Sequence, residues 1–424
     1  MSLPTDTPST SGSAPGASPG SRAGDRAGAL RRAARLAGIA PTVFSEYSAL
    51  AVRTGAVNLG QGFPDVDGPG EVVEAARAAL VSGHNQYAPG PGLPGLREAV
   101  AEHQQRRYGI TLDPTSEVVV TTGATEAVAA AVLGLLDPGD EVLVLEPWYD
   151  SYVAMLQMAG AVRVPVPLRA PDFRLDVAAL RAAVTDRTRA VLLNTPHNPT
   201  GTVLTDDEVA AVAAVAVEHD LLVITDEVYE HLVFDGRRHR PAATFPGMRE
   251  RTLTISSVGK SFSLTGWKVG WATGPAPLVA SVLAAKQWLT FTSGAPLQPA
   301  VEVALREHGD WPQALAADLQ GRRDLLLAGL AEAGLVDPAR PVRTPEGTYF
   351  AVTDVSHLGW PDGETFCRAL PERAGVVAIP LQGFGDSDAS RHLVRWTFCK
   401  RPEVLSRAVE QLLGADLSAD VSAG

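Results

Sequence analysis

The chain has 424 residues and a formal charge of −12, from 36 Lys and Arg against 48 Asp and Glu. Its 45% hydrophobic content can fill a sizeable core and excludes a wholly disordered chain. The acidic balance argues against nucleic acid, whose phosphates reward clustered Lys and Arg, and no uninterrupted apolar run reaches the roughly 18 residues of a membrane span.

Residues 1–28 are Ser, Thr, Pro, Gly and Ala with few charges, and are expected to form a disordered tail. They lack the basic-then-apolar order of a signal peptide. A short helix is expected in ALRRAARLAG (29–38), ended by Gly38 and Pro41, with Arg31, Arg32 and Arg35 as a solvated face. The two cysteines, Cys367 and Cys399, exclude a disulfide framework and suit a reducing compartment. Each reads as a small buried residue, and the expected location is the cytoplasm.

From about residue 115, short apolar runs alternate with Ala/Leu-rich helical patterns. The runs are EVVVTT (117–122), EVLVLE (141–146), AVRVPV (161–166), AVLLNT (190–195), LLVITD (221–226) and TLTISS (252–257). This alternation predicts an α/β domain with a mostly parallel sheet covered by helices on both faces. WKVGWAT (267–273) is expected to be a seventh strand of that sheet. A long helix is predicted over about 311–332, and TYFAVTDV (348–355) and HLVRWTFCK (392–400) read as strands of a smaller α+β domain. The expected division is 29–70 as a segment packing on the small domain, 71–305 as the large domain and 306–424 as the small one.

In open α/β sheets ligands bind beyond the carboxyl ends of the strands. The first run ends in TTGATEA, where Gly123 permits a sharp turn and a helix N-terminus offers unpaired N–H groups to an anion. Read singly, Thr122 or Thr125 could simply cap that helix. Asn198 sits on a rigid turn, NTPHNPTG. Asp226 ends a buried strand, where a carboxylate needs a partner; a cationic ring nitrogen, a salt bridge or a helix cap would each serve. Tyr229 follows, then Ser257, Lys260 and Lys268 after the next strand. Taken alone, Lys260 reads as a surface lysine. Together these groups are the parts that hold an aldehyde cofactor bearing a phosphate and a pyridinium ring, as pyridoxal phosphate does. No G-x-G-x-x-G, P-loop or G-x-S-x-G competes with that reading. The histidines show no H-E-x-x-H; His197 lies beside Asn198, and no metal is expected.

These residues carry a resemblance. NLGQGFPD (58–65), NQYAPGPGLPGLREAV (85–100), TTGATEA (121–127), EPWYDSY (146–152), NTPHNPTG (194–201), ITDEVYEHLVF (224–234), SSVGKSFSLTGWKVGW (256–271), TPEGTYF (344–350) and HLVRWTFCK (392–400) are similar, in order, to class I/II aminotransferases of pyridoxal-phosphate fold type I. Within that family the chain resembles kynurenine/glutamine transaminases and N-succinyldiaminopimelate aminotransferases. The resemblance implies that Lys260 bonds to the cofactor aldehyde and Asp226 pairs with the ring nitrogen. It implies that Tyr229 and Asn198 bond the ring's phenolic oxygen, and that Tyr149, or alternatively Trp148, stacks on the ring. Gly123, Ala124, Thr125, Ser257 and Lys268 would hold the phosphate, with Tyr87 reaching it from the partner of a homodimer. Position 268 is often arginine in the family; lysine keeps the charge and loses the bidentate fork. Arg395 would clamp the substrate carboxylate, with the backbone around Gly62 and with Asn198 helping. Phe44 and Tyr47 fit either an aromatic entrance wall or an anchor for their helix. The implied reaction is ping-pong transfer of an amino group between an amino acid and a 2-oxo acid. A pyridoxal-phosphate β-lyase acting on cysteine S-conjugates, or a ligand-sensing protein that keeps the fold without catalysis, would use the same scaffold.

Overall fold

The computed structural model of the chain describes residues 33–39 and 41–419. The expected tail lies outside the described residues, and so do residues 29–32 of the first predicted helix. What is described of that helix is one 3-10 turn, Ala34–Leu36.

The strands are β1 (Val57–Asn58), β2 (Val118–Thr121), β3 (Glu141–Glu146), β4 (Val162–Pro167), β5 (Thr188–Asn194), β6 (Leu222–Asp226), β7 (Thr252–Ser257), β8 (Gly270–Thr273), β9 (Phe350–Asp354), β10 (Val376–Val377), β11 (Ile379–Pro380) and β12 (Leu393–Thr397). Seven of them make one sheet in the order β2-β8-β7-β6-β5-β3-β4. The strands from β3 to β7 pair in parallel, and β8 lies antiparallel between β7 and β2. Every residue of β3 and β7 is buried, as in a sheet covered on both faces, although β7 carries two threonines and two serines. The predicted strands fall within one or two residues of these bounds, except at β12, where the predicted end at residue 400 overruns Thr397 by three residues, and at β8. There the predicted start, residue 267, lies in a 3-10 turn at Thr265–Trp267, and Lys268 has left-handed backbone at φ 55°. The connection from β7 holds a one-turn helix at Val258–Ser261 and that 3-10 turn, and the chain doubles back to pair antiparallel.

Helices cover both faces. Gly123–Leu135 packs on Ala276–Lys286, and Asp206–Glu218 begins with a capping box between Thr205 and Glu208. The C-terminal part holds an antiparallel sheet in the order β11-β12-β9; helix Gly363–Ala374 packs on β11 and β12, and helices Trp311–Glu332 and Pro402–Leu413 pack on each other. β1 pairs in parallel with β10, which attaches the N-terminal segment to this part. Among the described residues, no helix is long and apolar enough to cross a membrane.

Candidate active site

The carboxyl ends of β5, β6 and β7 and the start of the helix after β2 open into one cavity of about 330 Å³. It is lined by Gly62, Gly123, Ala124, Thr125, Tyr149, Asn198, Asp226, Tyr229, Ser257, Lys260, Lys268 and Arg395, all expected at the site from sequence. Tyr87 is absent from that lining. It is 82% exposed and stands edge-on to Phe291, with ring centroids 5.2 Å apart.

Parallel register explains the floor. Asn194 and Asp226 are neighbours on β5 and β6, and the Asn194 amide donates to the Asp226 carbonyl at 2.8 Å. The Asp226 carboxylate accepts from the Tyr152 hydroxyl at 2.7 Å and the Val228 N–H at 3.3 Å. Burial pushes its pKa up, opposed by those two hydrogen bonds. Both donors are neutral, so the positive charge that would stabilise this carboxylate must come from the cavity side. A protonated pyridine nitrogen has that charge.

The phosphate end is built from backbone. The helix Gly123–Leu135 starts without a side-chain cap; the expected cap by Thr122 or Thr125 is replaced by the Glu126 carboxylate, which accepts from the Thr122 N–H at 2.5 Å. Ala124 and Thr125 line the cavity, and the first N–H groups of a helix have no intrahelical acceptor. Gly123 has φ +71°, and a Cβ there would come within 3.2 Å of the Lys268 Nζ. A Cβ on Gly270 would meet the Ala124 nitrogen at 2.8 Å. Two missing side chains thus leave a cradle of N–H groups, the Ser257 hydroxyl and an ammonium, which fits a phosphate dianion.

Lys260 lies in the one-turn helix Val258–Ser261 directly after β7. It is not the surface lysine that its sequence context alone suggests. Burial pulls its pKa down to about 8, against Cys399 and Asp226, which pull it up. Its Nζ donates to the Tyr349 hydroxyl at 3.0 Å.

Arg395 sits on β12 between β11 and β9, and is 1% exposed. It donates to the Asn198 side-chain oxygen at 3.0 Å and to the Gly60 carbonyl at 2.9 Å. The Phe350 ring lies 4.0 Å from its guanidinium carbon and the Phe44 ring 4.9 Å. Burial lowers its pKa to about 10, so it stays charged near neutrality. Its Nε is buried without a partner. A fixed, under-bonded guanidinium at the cavity wall is suited to a carboxylate.

The structure places the members of the two aromatic pairs differently. Tyr149 lines the cavity, and burial raises its phenol to about 12; Trp148 is buried below, with Arg163 4.4 Å from its ring. Phe44 lines the cavity, whereas Tyr47 is 2% exposed and packs into the core, anchoring its helix. His197 is buried and pairs with Thr200 at 2.7 Å, outside the lining.

Tyr152, Asn194, Gln61, Phe63 and Phe350 also line the cavity and escaped the sequence reading. Tyr152 carried a signal, since it follows Tyr149 by three residues in EPWYDSY and its ring stands edge-on to that of Tyr149 at 5.6 Å. Phe63 and Phe350 reach the cavity only through tertiary packing. A separate polar cluster brings ligand atoms of His103, Glu230 and His231 within 4.8 Å of one another. Its atoms already serve the protein: Glu230 accepts from Tyr108 and Ser256 at 2.5 Å each, and the two imidazoles face each other at 3.0 Å.

Comparison with known proteins agrees with this geometry. The family model "Aminotransferase class I and II" matches residues 54–412. A probable N-succinyldiaminopimelate aminotransferase, DapC, of Mycobacterium tuberculosis is 55% identical over 391 residues, covering 89% of this chain and 97% of that protein. A methionine aminotransferase of Escherichia coli is 39% identical over 379 residues, with the same coverage of 89% and 97%. The solved structure of N-succinyldiaminopimelate aminotransferase from Mycobacterium tuberculosis superposes with a TM-score of 0.88 at 55% identity, covering 91% of this chain and all of that one.

Proposed function

The chain belongs to the class I and II aminotransferases, pyridoxal-phosphate enzymes of fold type I, and from that premise we propose that it transfers the amino group of N-succinyl-L,L-diaminopimelate to or from a 2-oxo acid. The observation that carries the chemistry is one cavity holding a lysine of lowered basicity, a buried strand-end carboxylate and a buried arginine. The substrate rests on the 55% identity to the mycobacterial relative.

Pyridoxal phosphate, when bound, supplies an aldehyde that captures the amino donor and a ring that accepts the electron pair left by removal of the Cα proton. The protein's residues do the rest. Lys260 holds the cofactor between turnovers and, once displaced by the donor, its amine moves the Cα proton. Asp226 keeps the ring nitrogen protonated by close opposite charge, and Tyr152 holds that carboxylate in place. Tyr229 and Asn198 set hydrogen bonds at the phenolic oxygen, and Tyr149 covers the ring. Gly123, Ala124, Thr125, Ser257 and Lys268 bind the phosphate. Arg395 orients the α-carboxylate, helped by Asn198 and by the backbone at Gly62, and so selects amines with an adjacent carboxylate. Phe44, Phe63 and Phe350 exclude water.

A second reading of the substrate has its own observation. Among the described residues, the cationic side chains lining the cavity are Lys260, Lys268 and Arg395, all assigned above, and none of them is left for a distal carboxylate. The distal wall is aromatic, which favours kynurenine, glutamine, methionine or aromatic donors. A screen with purified protein separates the two. It pairs N-succinyl-L,L-diaminopimelate and each of these donors with several 2-oxo acids, and includes a primary amine without a carboxylate. The lead reading expects kcat/KM for the succinylated donor to exceed the others by about tenfold or more, and the bare amine to be inert. Better turnover of kynurenine or methionine reverses the substrate assignment, and turnover of the bare amine removes the Arg395 role. Elimination products from a cysteine S-conjugate, without amino transfer, would favour the lyase.

The assembly we propose is a homodimer with shared sites, in which the partner's copy of Tyr87 reaches the phosphate. Its exposure on a Gly/Pro-rich segment, and its absence from its own chain's cavity, support this. In mixed dimers of one Tyr87→Phe chain and one Lys260→Ala chain, cofactor binding should weaken in the subunit carrying Lys260→Ala, by about tenfold for one lost phosphate contact. Weakening in the Tyr87→Phe subunit itself would contradict the cross-subunit assignment. A fully active, cofactor-saturated monomer would contradict the shared site.

A further inference from the structure

The hydroxyl that Lys260 meets belongs to Tyr349, a residue with no role in the proposal above. Its ring is 1% exposed and stands edge-on to Tyr229, with centroids 5.3 Å apart, and to Phe350 at 4.9 Å. Its oxygen lies 3.0 Å from the Lys260 Nζ and 2.7 Å from the Gly62 carbonyl oxygen. One atom therefore joins three segments distant in sequence: the turn after β7, the start of β9 and the loop after β1.

Proton counting fixes the polarity. The Tyr229 hydroxyl also contacts the Tyr349 oxygen, but it has a proton of its own to give, whereas the Gly62 carbonyl oxygen can only accept, so the single phenol proton of Tyr349 goes to Gly62. Burial pushes the Tyr349 pKa well up, so that proton stays. The oxygen then has only lone pairs for Lys260, and Lys260 must donate. One N–H of a free amine is committed, and its rotation about Cε–Nζ is restricted.

The backbone beside it is strained in a way that aims the ring. Thr348 has φ 64°, in the left-handed region that a β-branched residue avoids. The neighbourhood holds it there. The Thr348 N–H donates to the Leu232 carbonyl at 2.8 Å, and its hydroxyl accepts from the Phe350 N–H at 3.1 Å. The Tyr349 carbonyl accepts from the Phe398 N–H at 2.9 Å and the Thr397 hydroxyl at 3.1 Å. A ring needed only to fill the core would not require such a turn.

We propose that Tyr349 is a positioning residue that docks the Lys260 amine against the Gly62 backbone whenever that lysine is released from the cofactor, presenting it for transfer of the Cα proton. This rests on the reading of Lys260 as the cofactor-bonded lysine. The competing account is a core aromatic whose hydroxyl is satisfied by Gly62 alone. Under that account Tyr349→Phe keeps the ring and leaves the lysine's chemistry unchanged.

The test has three arms. Borohydride reduction of the loaded wild-type enzyme, followed by peptide mapping, should place the pyridoxyl adduct on Lys260; an adduct on another lysine overturns the functional reading itself. In cofactor-free protein, reductive methylation of Lys260 against pH reads the ammonium's acidity. Asp226, Cys399, Lys268 and Arg395 also act on it, and they are the same in wild type and variant. Tyr349→Phe removes an acceptor that favours the charged donor, so the midpoint should fall by about one pH unit. In loaded enzyme, loss of a Cα-deuterium label at saturating donor should slow by about tenfold. With the adduct on Lys260, a midpoint within about 0.3 unit of wild type or an unchanged washout rate overturns the proposal alone. If thermal unfolding shows that Tyr349→Phe is misfolded, a fluorinated tyrosine at position 349 keeps shape and hydroxyl while weakening the acceptor. It should shift both readouts the same way by a smaller amount, and no shift in either overturns the proposal.

Discussion

Lys260→Ala is expected to lower multiple-turnover transamination by about ten-thousand-fold, the upper range for loss of a positioned proton-transfer group. The protein should still retain some cofactor, because the phosphate cradle and Asp226 do not depend on the lysine. Steady-state turnover, corrected for contaminating enzyme, and the absorption of the bound cofactor check both halves. Turnover at the wild-type level would remove Lys260 from the chemistry. The wild-type lysine also carries a pH signature. Only the neutral amine attacks an aldehyde, and burial brings the pKa to about 8 from an ordinary 10.5. Capture of pyridoxal phosphate by cofactor-free protein should therefore rise with pH and level off above about 8, falling about tenfold per unit below it. A plateau reached only near the ordinary lysine value would mean that the side chain is solvated.

Asp226→Asn is expected to slow Cα proton removal by about a hundred- to a thousand-fold, the usual scale for losing one preorganised electrostatic partner. The change removes a charge with little change in volume. Tyr152 would still find an acceptor in the amide oxygen, so the fold should survive, and thermal unfolding checks that. The rate is read as washout of a Cα-deuterium label in a single turnover. An unchanged rate would reduce Asp226 to the bland role that its Val228 contact also allows, a cap on the turn after β6.

Much of this molecule is legible in one dimension because its determinants are local. The run EVLVLE is β3 residue for residue, and TLTISS is β7, because strands buried on both faces read as short continuous runs without charged interruptions rather than as an alternating pattern. The positions of Asn198, Asp226 and Lys260 at strand ends follow from the same periodicity. The sheet then gathers them, because parallel strands place their carboxyl ends along one edge. Lys260 and Arg395 were readable as residues, yet the partial burial of Lys260, the full burial of Arg395 and the lowered basicity of both belong to the folded state.

The remainder needed the third dimension. Tyr349 meets Lys260 across 89 residues of sequence, and its proton goes to Gly62 across 287. No periodicity links segments so far apart. Phe44 and Tyr47 lie on one helix three residues apart, and only the packing decided that Phe44 faces the cavity and Tyr47 the core. The direction of β8 likewise belongs to the fold, where a turn at Thr265–Trp267 and a left-handed Lys268 lead into a strand that pairs antiparallel with both β7 and β2. Composition and pattern alone determined the α/β class, the strand ends and the chemical types gathered there. Tertiary structure decided which of those groups share a cavity, because desolvation and hydrogen-bond geometry are properties of neighbours in space.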